Sequence, residues 1–243
     1  MFLAADGSSM TVAFDFSGRV AVVTGACGAL GSAVATAFAE AGATVAACDI
    51  VDIKDDDALL EPHERIDFYQ ADFTDEAAVA DTMDAIADDH GGIDHLLNIA
   101  GTWRGGDPIE ETEESEFDML FGVNLKTMFL ASKHALPHLQ DSEGSIVSVS
   151  ARSSLEGGEG DGIYRSTKAG IRILTETIAE ENLGTVRANC VMPSVLDTPM
   201  NREMMTPSEE WVDPADVAEV MGFLCSDAAS VTSGAAVPVY GEA

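Results

Sequence analysis

Basic residues are scarce in this sequence, and the shortage limits the partners that the chain can bind. Twelve lysines and arginines face 43 aspartates and glutamates among 243 residues, for a formal net charge of −31 at pH 7. Lysine occurs only as Lys54, Lys126, Lys133 and Lys168. So acidic a surface repels polyanions, and we expect no nucleic acid and no anionic membrane as a partner.

Long apolar runs are also missing. No stretch approaches the ~20 apolar residues that a membrane-spanning helix needs. Met1–Ser17 lacks the basic start and apolar centre of a secretory signal. We expect residues 1–17 to form an N-terminal extension, loosely held over 1–12, with Met10 as an alternative start.

The excess of carboxylates suits a cytoplasm rich in salt, because dissolved ions screen the repulsion between surface charges. We therefore interpret the chain as a cytoplasmic protein of halophile type. Acidic runs such as 55–57 and 110–114 are interpreted as solvated surface. The alternative is an acidic interaction module, although the acids are spread along the whole chain.

Cysteine and histidine are few and scattered. No C-x-x-C pair is formed by the four cysteines, Cys27, Cys48, Cys190 and Cys225. Their apolar or glycine-rich contexts predict buried thiols in a reducing compartment. His134 and His138 share a helix face, but no third ligand lies near them in sequence, so we expect no metal site.

Short apolar runs alternate with helical patterns along the chain. The candidate strands are Arg19–Thr24, Thr44–Asp49, Arg65–Gln70, Asp94–Asn98, Ser145–Ser150, Val186–Met192 and Ala236–Tyr240. The candidate helices are Ala29–Ala41 and about 74–89, 115–137, 161–182 and 214–226. This alternation predicts an α/β fold: a doubly wound (Rossmann), mostly parallel seven-stranded sheet with helices on both faces. Because no linker or repeat divides the chain, residues 18–243 are expected to form one domain.

A glycine-rich segment joins the first predicted strand to the first helix. Glycines tighten such a turn and admit a pyrophosphate, and the helix N-terminus offers free N–H groups and a positive dipole end. The candidate dinucleotide-binding residues of this turn are Gly25, Cys27, Gly28, Ala29, Leu30 and Gly31. A plain tight turn is the alternative.

Asp49 ends the second predicted strand, eighteen residues after Gly31. A carboxylate at this point accepts hydrogen bonds from an adenosine ribose and repels a 2′-phosphate. No arginine or lysine follows in 50–52. The pattern predicts NAD rather than NADP as the cofactor, with an ordinary exposed strand end as the alternative.

Tyr164 and Lys168 are four residues apart in a predicted helix, which places the two side chains one turn apart on the same face. An ammonium near a phenol stabilises the phenolate and lowers its pKa from about 10. The pair is therefore a candidate for general acid–base catalysis, with a surface pair as the alternative.

These motifs resemble those of the short-chain dehydrogenase/reductase family in order and spacing, from Gly18 to Tyr240. The matching segments are 25–31, Asp49, 71–75, 98–101, 123–125, Tyr164 with Lys168, Pro193-Ser194 with Thr198, and 223–227. The resemblance implies an NAD-dependent oxidoreductase that acts on a small carbonyl or alcohol substrate.

The resemblance also assigns roles to individual residues. It implies that Tyr164 moves the proton, that Lys168 holds the nicotinamide ribose and that Asn124 supports a water relay. The remaining cofactor-binding positions that it implies are Asp72 and Phe73 at the adenine, and Asn98, Ala100, Gly101, Pro193, Val195 and Thr198.

The sequence departs from the family pattern at three positions. Ala29 and Ser194 stand where glycine is usual, and Ala151 replaces the serine that binds the substrate oxygen thirteen residues before the tyrosine. Ser150 is taken as the catalytic candidate in its place, although strand alternation points its side chain to the other side. Ser153 is a second candidate.

The loss of the serine leaves two further functions open. Segments 100–106, 151–155 and 196–202 are similar to those of dihydropteridine reductases, which also lack the serine and use NADH. That likeness implies reduction of a quinonoid pterin, although Asn124 departs from that subgroup. A non-catalytic NAD-binding regulator is the other alternative.

The predicted substrate loop spans about 199–213, and Trp103 is expected to face its methionines. The positions of four arginines near the expected site predict either a positive pocket or local salt bridges; they are Arg104, Arg152, Arg165 and Arg202.

We expect a homo-oligomer, a tetramer or dimer that pairs through helices 115–137 and 161–182. The predicted helix 161–182 carries more apolar residues than one helix face packed on a sheet needs, namely Ile171, Ile173, Leu174 and Ile178. Burial of these residues on the sheet is the alternative.

Overall fold

The computed structural model describes residues 14–241. Met10 and the segment 1–12 lie outside the described residues. The strands are β1 (Val20–Thr24), β2 (Thr44–Asp49), β3 (Ile66–Gln70), β4 (His95–Asn98), β5 (Ser145–Val149), β6 (Arg187–Pro193) and β7 (Ala236–Val239). The helices are α1 (Ala29–Glu40), α2 (Glu76–His90), α3 (Glu114–Leu120), α4 (Thr127–Ser142), α5 (Gly162–Glu181), α6 (Pro199–Met204) and α7 (Pro214–Cys225).

All seven strands pair in parallel, in the order β3-β2-β1-β4-β5-β6-β7. The doubly wound α/β fold predicted from the sequence is confirmed. The order reverses between β1 and β4, and in open α/β sheets a crevice forms at that point, outside the carboxyl ends of the strands.

The two faces of the sheet carry separate apolar cores, because side chains alternate along each strand. Val23 and Leu97 pack with Phe38 of α1 and Met221 of α7 on one face. Val22, Ala46 and Leu96 face α2, α4 and α5, where Met83, Ile86 and Leu139 cover them. Helices on both faces explain why the strand sequences are continuous apolar runs.

The packed part of the chain begins before Gly18. Phe16 is buried and its ring stacks on Phe38, with 4.7 Å between the ring centroids. Phe16, with Phe14 packed against the same cluster, therefore contributes to the core on the α1 side of the sheet.

The helix predicted over about 115–137 is confirmed, but it extends beyond residue 137 and contains a π-helical segment. A six-residue π-helical segment, Phe121–Lys126, separates α3 from α4. α4 then passes through Pro137 and ends only at Glu143, whose φ of 53° is left-handed. Pro137 costs one backbone hydrogen bond, but continuation of the helix buries Leu139 in the core.

The predicted substrate loop contains α6. Thr198 caps that helix, accepting a hydrogen bond from the Asn201 N–H at 3.2 Å, and Pro199 fills its first turn. A β-bridge between Leu196 and Val212 closes the segment at its base.

Three smaller findings concern the predictions on thiols, membranes and metals. All four cysteines are free and buried, as their sequence contexts predicted. Within residues 14–241, every helix is too short or too polar to span a bilayer. In the same range, no three His, Cys, Asp or Glu side chains lie close enough together to hold a metal ion.

Candidate active site

A cleft of about 710 Å³ opens at the carboxyl ends of the strands. Most of the residues predicted from the sequence lie around it. They are Gly25, Cys27, Gly28, Ala29, Leu30, Gly31, Asp49, Asp72, Phe73, Ala100, Gly101, Ser150, Tyr164, Lys168, Pro193 and Thr198. Asn98, Asn124 and Val195 are not part of the lining.

The glycine-rich turn is shaped by contacts that leave no room for side chains. Gly25 has a φ of +67°, and a Cβ on it would lie 2.7 Å from the Cα of Ala100. A Cβ on Gly31 would overlap the carbonyl oxygen of Gly25. Gly28 differs, because a Cβ there would meet only that carbonyl, at 3.5 Å, and would otherwise project into open space. The turn is therefore closely packed at Gly25 and Gly31, whereas the space beside Gly28 is open to a ligand. We call this open space the cradle.

α1 begins immediately after this cradle and has no side-chain cap. Its first N–H groups have no intrahelical acceptor, as in any helix, and here no side-chain acceptor either. They face the cleft together with the positive end of the helix dipole. This arrangement suits a phosphate group.

Asp49 holds the turn and the loop after β2 together. One carboxylate oxygen accepts the Cys27 N–H at 2.8 Å, and the other accepts the Val51 N–H at 3.1 Å. Both oxygens keep further lone pairs, so the carboxylate can also accept hydrogen bonds from a ligand.

The loop after β2 brings two more carboxylates to the cleft. The Leu59 N–H donates to the Cys27 carbonyl at 2.9 Å, which folds the loop back onto the glycine-rich turn. Asp56 and Asp57 line the cleft as a result. The interpretation of 55–57 as solvated surface only was incomplete, and no local signal distinguishes this run from other exposed acids. We call Asp49, Asp56, Asp57 and Asp72 the acidic end of the cleft.

Asn98 lies beneath the cleft instead of on its surface. Its amide nitrogen donates to the hydroxyls of Ser132 at 3.1 Å and Ser148 at 3.2 Å, and the side chain is buried. It links β4 to β5 and α4. Val195 is also outside the lining and is 38% exposed.

Asn124 is fully buried in the π-helical segment. Its oxygen accepts the Thr102 N–H at 2.7 Å, and its nitrogen donates to the Thr102 carbonyl at 3.0 Å. The same nitrogen donates to the Thr167 hydroxyl at 3.1 Å. Asn124 therefore joins the loop after β4 to α5, next to Lys168. π-Helical turns occur frequently at functional sites, where they reorient backbone groups.

Tyr164 and Lys168 lie on the same face of α5 and both line the cleft. The Lys168 ammonium lies 5.8 Å from the centre of the Tyr164 ring and donates to the Val149 carbonyl at 3.0 Å. Burial lowers the pKa of Lys168 to about 8. One of the three ammonium protons is used by the protein, which leaves two for a ligand.

The expectation that Lys168 lowers the phenol pKa is not met in this geometry. The ammonium lies over the face of the Tyr164 ring, and burial raises the pKa of Tyr164 to about 12, to which the Asp161 carboxylate adds. Tyr164 is therefore held as a neutral phenol, a form that can donate a proton.

The serines around the missing family serine are engaged elsewhere. The Ser150 hydroxyl donates to the Lys168 carbonyl at 2.8 Å, so its proton is directed to the main chain of α5. Ser154 points its hydroxyl to the Met192 sulfur, 3.8 Å away. Neither Ser153 nor Ser154 lines the cleft, whereas Ala151 does.

The opposite end of the cleft is built from the segments after β4, β5 and β6. We call Trp103, Ala151, Leu196, Pro199 and Met200 the apolar end. None of the four arginines predicted near this site lines it. Arg165 pairs with Asp161 and Arg202 pairs with Asp197, as the salt-bridge alternative predicted. The guanidinium of Arg152 lies 4.8 Å from the centre of the Tyr240 ring.

Comparison with known proteins agrees with this geometry. Residues 25–241 match the profile of a family described as Enoyl-(Acyl carrier protein) reductase. The chain is 32% identical to the 3-oxoacyl-[acyl-carrier-protein] reductase FabG of Thermotoga maritima, over 92% of this chain and 97% of that protein. It is 35% identical to the meso-2,3-butanediol dehydrogenase of Serratia marcescens, over 94% of this chain and 95% of that protein.

The fold is also similar to that of a solved structure. A short-chain dehydrogenase/reductase described as glucose/ribitol dehydrogenase, from Brucella melitensis, superposes with a TM-score of 0.87 at 30% identity. The alignment covers 95% of this chain and 98% of that one. The chain therefore belongs to the short-chain dehydrogenase/reductase family, whose oxidoreductases use a nicotinamide cofactor.

Proposed function

We propose that this protein is an NAD(H)-dependent oxidoreductase that interconverts a small carbonyl compound and its alcohol. One observation carries the proposal: the glycine-rich turn, the acidic end and the Tyr164–Lys168 pair all line a single cleft. Such a cleft can hold a dinucleotide along its length, with the substrate at the apolar end.

The residues of the cleft fit a nicotinamide dinucleotide. The cradle at Gly28 and the first N–H groups of α1 would hold the pyrophosphate. Asp49 would accept hydrogen bonds from the adenosine ribose, and the free ammonium protons of Lys168 would reach the other ribose. The bound cofactor supplies or accepts the hydride.

The acidic end favours NAD(H) over NADP(H). Four carboxylates line the cleft there, and Lys168 is the only basic residue in the described lining. A 2′-phosphate beside these carboxylates would have repulsive neighbours and no cation to pair with.

Tyr164 would exchange the proton with the substrate oxygen. A phenol is protonated at neutral pH, and burial raises the pKa of this one further, to about 12, so it can donate to an oxygen that gains negative charge. Lys168 and Asn124 fix the helix and the loop on either side of it.

Oxidation of NADH with a panel of neutral ketones and aldehydes tests this function, with NADPH as the matched comparison. We expect turnover with NADH and a much lower kcat/KM with NADPH. A preference for NADPH would contradict the cofactor assignment. Tight NADH binding without turnover on any carbonyl compound or quinonoid pterin would favour a non-catalytic regulator.

We further propose that the protein is a cytoplasmic homo-oligomer, a dimer or tetramer that pairs through the helix formed by α3 and α4 and through α5. Phe117, Phe129 and Ile173 are each between 43% and 49% exposed. Phe129 also lines a groove of about 630 Å³, together with Phe121 and Leu174. Ile171 and Ile178, by contrast, are buried in the core. A second copy would cover this apolar face.

Light scattering in molar salt tests the assembly, and we expect a mass of two or four chains. Lowering the salt should dissociate it, because each subunit carries a net charge of −31. A monomer at every salt concentration would contradict the proposal.

A further inference from the structure

Two large apolar side chains stand half-exposed at the apolar end of the cleft. Trp103 is 44% exposed and Met200 is 57% exposed, and both line the cleft with Leu196. The indole offers a flat surface for stacking, and a methionine sulfur makes favourable contacts with aromatic rings. These features suit a flat, apolar molecule.

The segment that carries Trp103 is fixed in place. The Gly106 N–H donates to the Gly160 carbonyl at 2.7 Å, which ties the segment to the loop before α5. A Cβ on Gly105 would lie only 2.5 Å from the same carbonyl oxygen, so the two backbones touch. At the other end of the segment, Asn124 binds both backbone groups of Thr102. The backbone on either side of the indole is therefore held in place before a substrate binds.

The apolar end has no cation for an anionic substrate. Lys168, the only basic residue in the described lining, is 5% exposed and bonded to Val149. Arg165 and Arg202 are neutralised by aspartates outside the cleft. Arg104 follows Trp103, but six carboxylates follow it within 107–116.

An anion that entered this end would lose water and gain no partner. Burying an unpaired charge is costly, and the net charge of −31 on the chain adds repulsion. We propose that the apolar end selects neutral, flat, apolar carbonyl compounds such as aryl ketones and rejects those that carry a carboxylate or a phosphate. This inference rests on the proposed function and specifies its substrate class.

Acetophenone and 4-acetylbenzoate form a matched pair of probes, since they differ only by a carboxylate. Their kcat/KM values for NADH oxidation are compared at about 0.15 M and about 1 M KCl, between which the Debye length falls from about 8 Å to about 3 Å. We expect acetophenone to be favoured by about tenfold or more at both salt concentrations, because the missing partner is not replaced by salt. An equal or higher value for 4-acetylbenzoate overturns the proposal.

Met200→Arg places a cation inside the apolar end and should raise the relative kcat/KM for 4-acetylbenzoate about tenfold. Met204→Arg is the matched control, because Met204 is 49% exposed on the same helix but does not line the cleft. An equal gain in both variants would mean that the field of the whole surface decides, and would overturn a selection made inside the cleft.

A binding measurement separates this inference from the proposed function. In a Trp211→Phe variant, Trp103 is the only tryptophan, and quenching of its fluorescence reports ligand binding in the presence of NAD⁺. Tighter binding of acetophenone supports the inference even if no carbonyl compound is reduced, a result that would refute the proposed function alone. Equal binding of the two probes, or binding of neither, overturns the inference.

Discussion

The two ends of the cleft are built in different ways. The acidic end comes from consecutive segments, in which backbone contacts at Gly25 and Gly31 and the carboxylate of Asp49 shape one turn. The apolar end comes from Trp103 and Met200, which are almost a hundred residues apart in the chain. Local backbone geometry therefore shapes the turn and places Asp49 at the first end, whereas the second end depends on how distant loops meet.

The largest expected effect is a loss of turnover when Tyr164, which lines the cleft, is substituted. Tyr164→Phe should reduce kcat by about 10²–10⁴-fold, the usual contribution of a general acid, while the Kd for NADH stays nearly unchanged. Tyr69→Phe is the matched control, because the Tyr69 hydroxyl bonds to Asp89, away from the cleft. Wild-type turnover in Tyr164→Phe would refute the catalytic role of the phenol.

A second comparison lies within the glycine-rich turn. Gly31→Ala should lower stability by about 1–3 kcal/mol and weaken NADH binding, because the new Cβ would overlap the Gly25 carbonyl. Gly28→Ala should leave the melting temperature almost unchanged and weaken NADH binding about tenfold, because the methyl group would fill the proposed pyrophosphate cradle. Thermal unfolding and titration with NADH measure both. Unchanged binding in Gly28→Ala would show that no phosphate lies there.

The acidic end also sets the expected cofactor preference. Asp49→Ala combined with Ile50→Arg should shift the ratio of the Kd values toward NADP(H) by about 10–100-fold, because a repulsive carboxylate is exchanged for a phosphate-binding cation. Ile50 lines the cleft and is 60% exposed, so the new guanidinium can reach the site. Asp52→Ala, a nearby carboxylate outside the lining, should not change the ratio. Tighter NADP(H) binding by the unmodified protein would contradict the role of Asp49.

The features that could be predicted from the sequence are those that depend on local geometry, as at the glycine-rich turn. The parallel sheet and the glycine-rich turn were predictable, because apolar runs and glycine spacing report local geometry. The π-helical segment inside the predicted helix 115–137 was not, since it is held by the tertiary bonds of Asn124 to Thr102 and Thr167. The helix α6 was missed although Thr198-Pro199 is a recognisable start signal.

Other site features depend on packing that no local pattern records. Asp56 and Asp57 reach the cleft only because the loop after β2 folds onto Cys27. Asn98 was predicted to border the cofactor, and its side chain is buried beneath the cleft between Ser132 and Ser148. The resemblance located Asn98 along the chain but did not specify where its side chain points, and it did not include Asp56 or Asp57.

The smallest expected effect is a change in kcat when Ala151, a residue of the apolar end, is substituted. Ala151 is 8% exposed and lines the cleft, and Ser150 directs its hydroxyl to the Lys168 carbonyl. If the protein reduces ketones with one oxyanion donor missing, Ala151→Ser should raise kcat for acetophenone several-fold, because it adds that donor. If it is a pterin-type reductase, the substitution should have no effect or reduce turnover, because the pocket is shaped around a small apolar residue.

Ser153→Ala completes this comparison and separates a third possibility. Ser153 does not line the cleft, so its loss should leave kcat within about twofold of the unmodified value, as expected for a side chain remote from the reacting atoms. A severe loss in Ser153→Ala together with a neutral Ala151→Ser would mean that Ser153 replaces the missing hydroxyl after a movement of the 152–155 turn. The difference between the two ends of the cleft would then be smaller than the structure indicates, because the apolar end would contain a polar group that becomes available only when substrate binds.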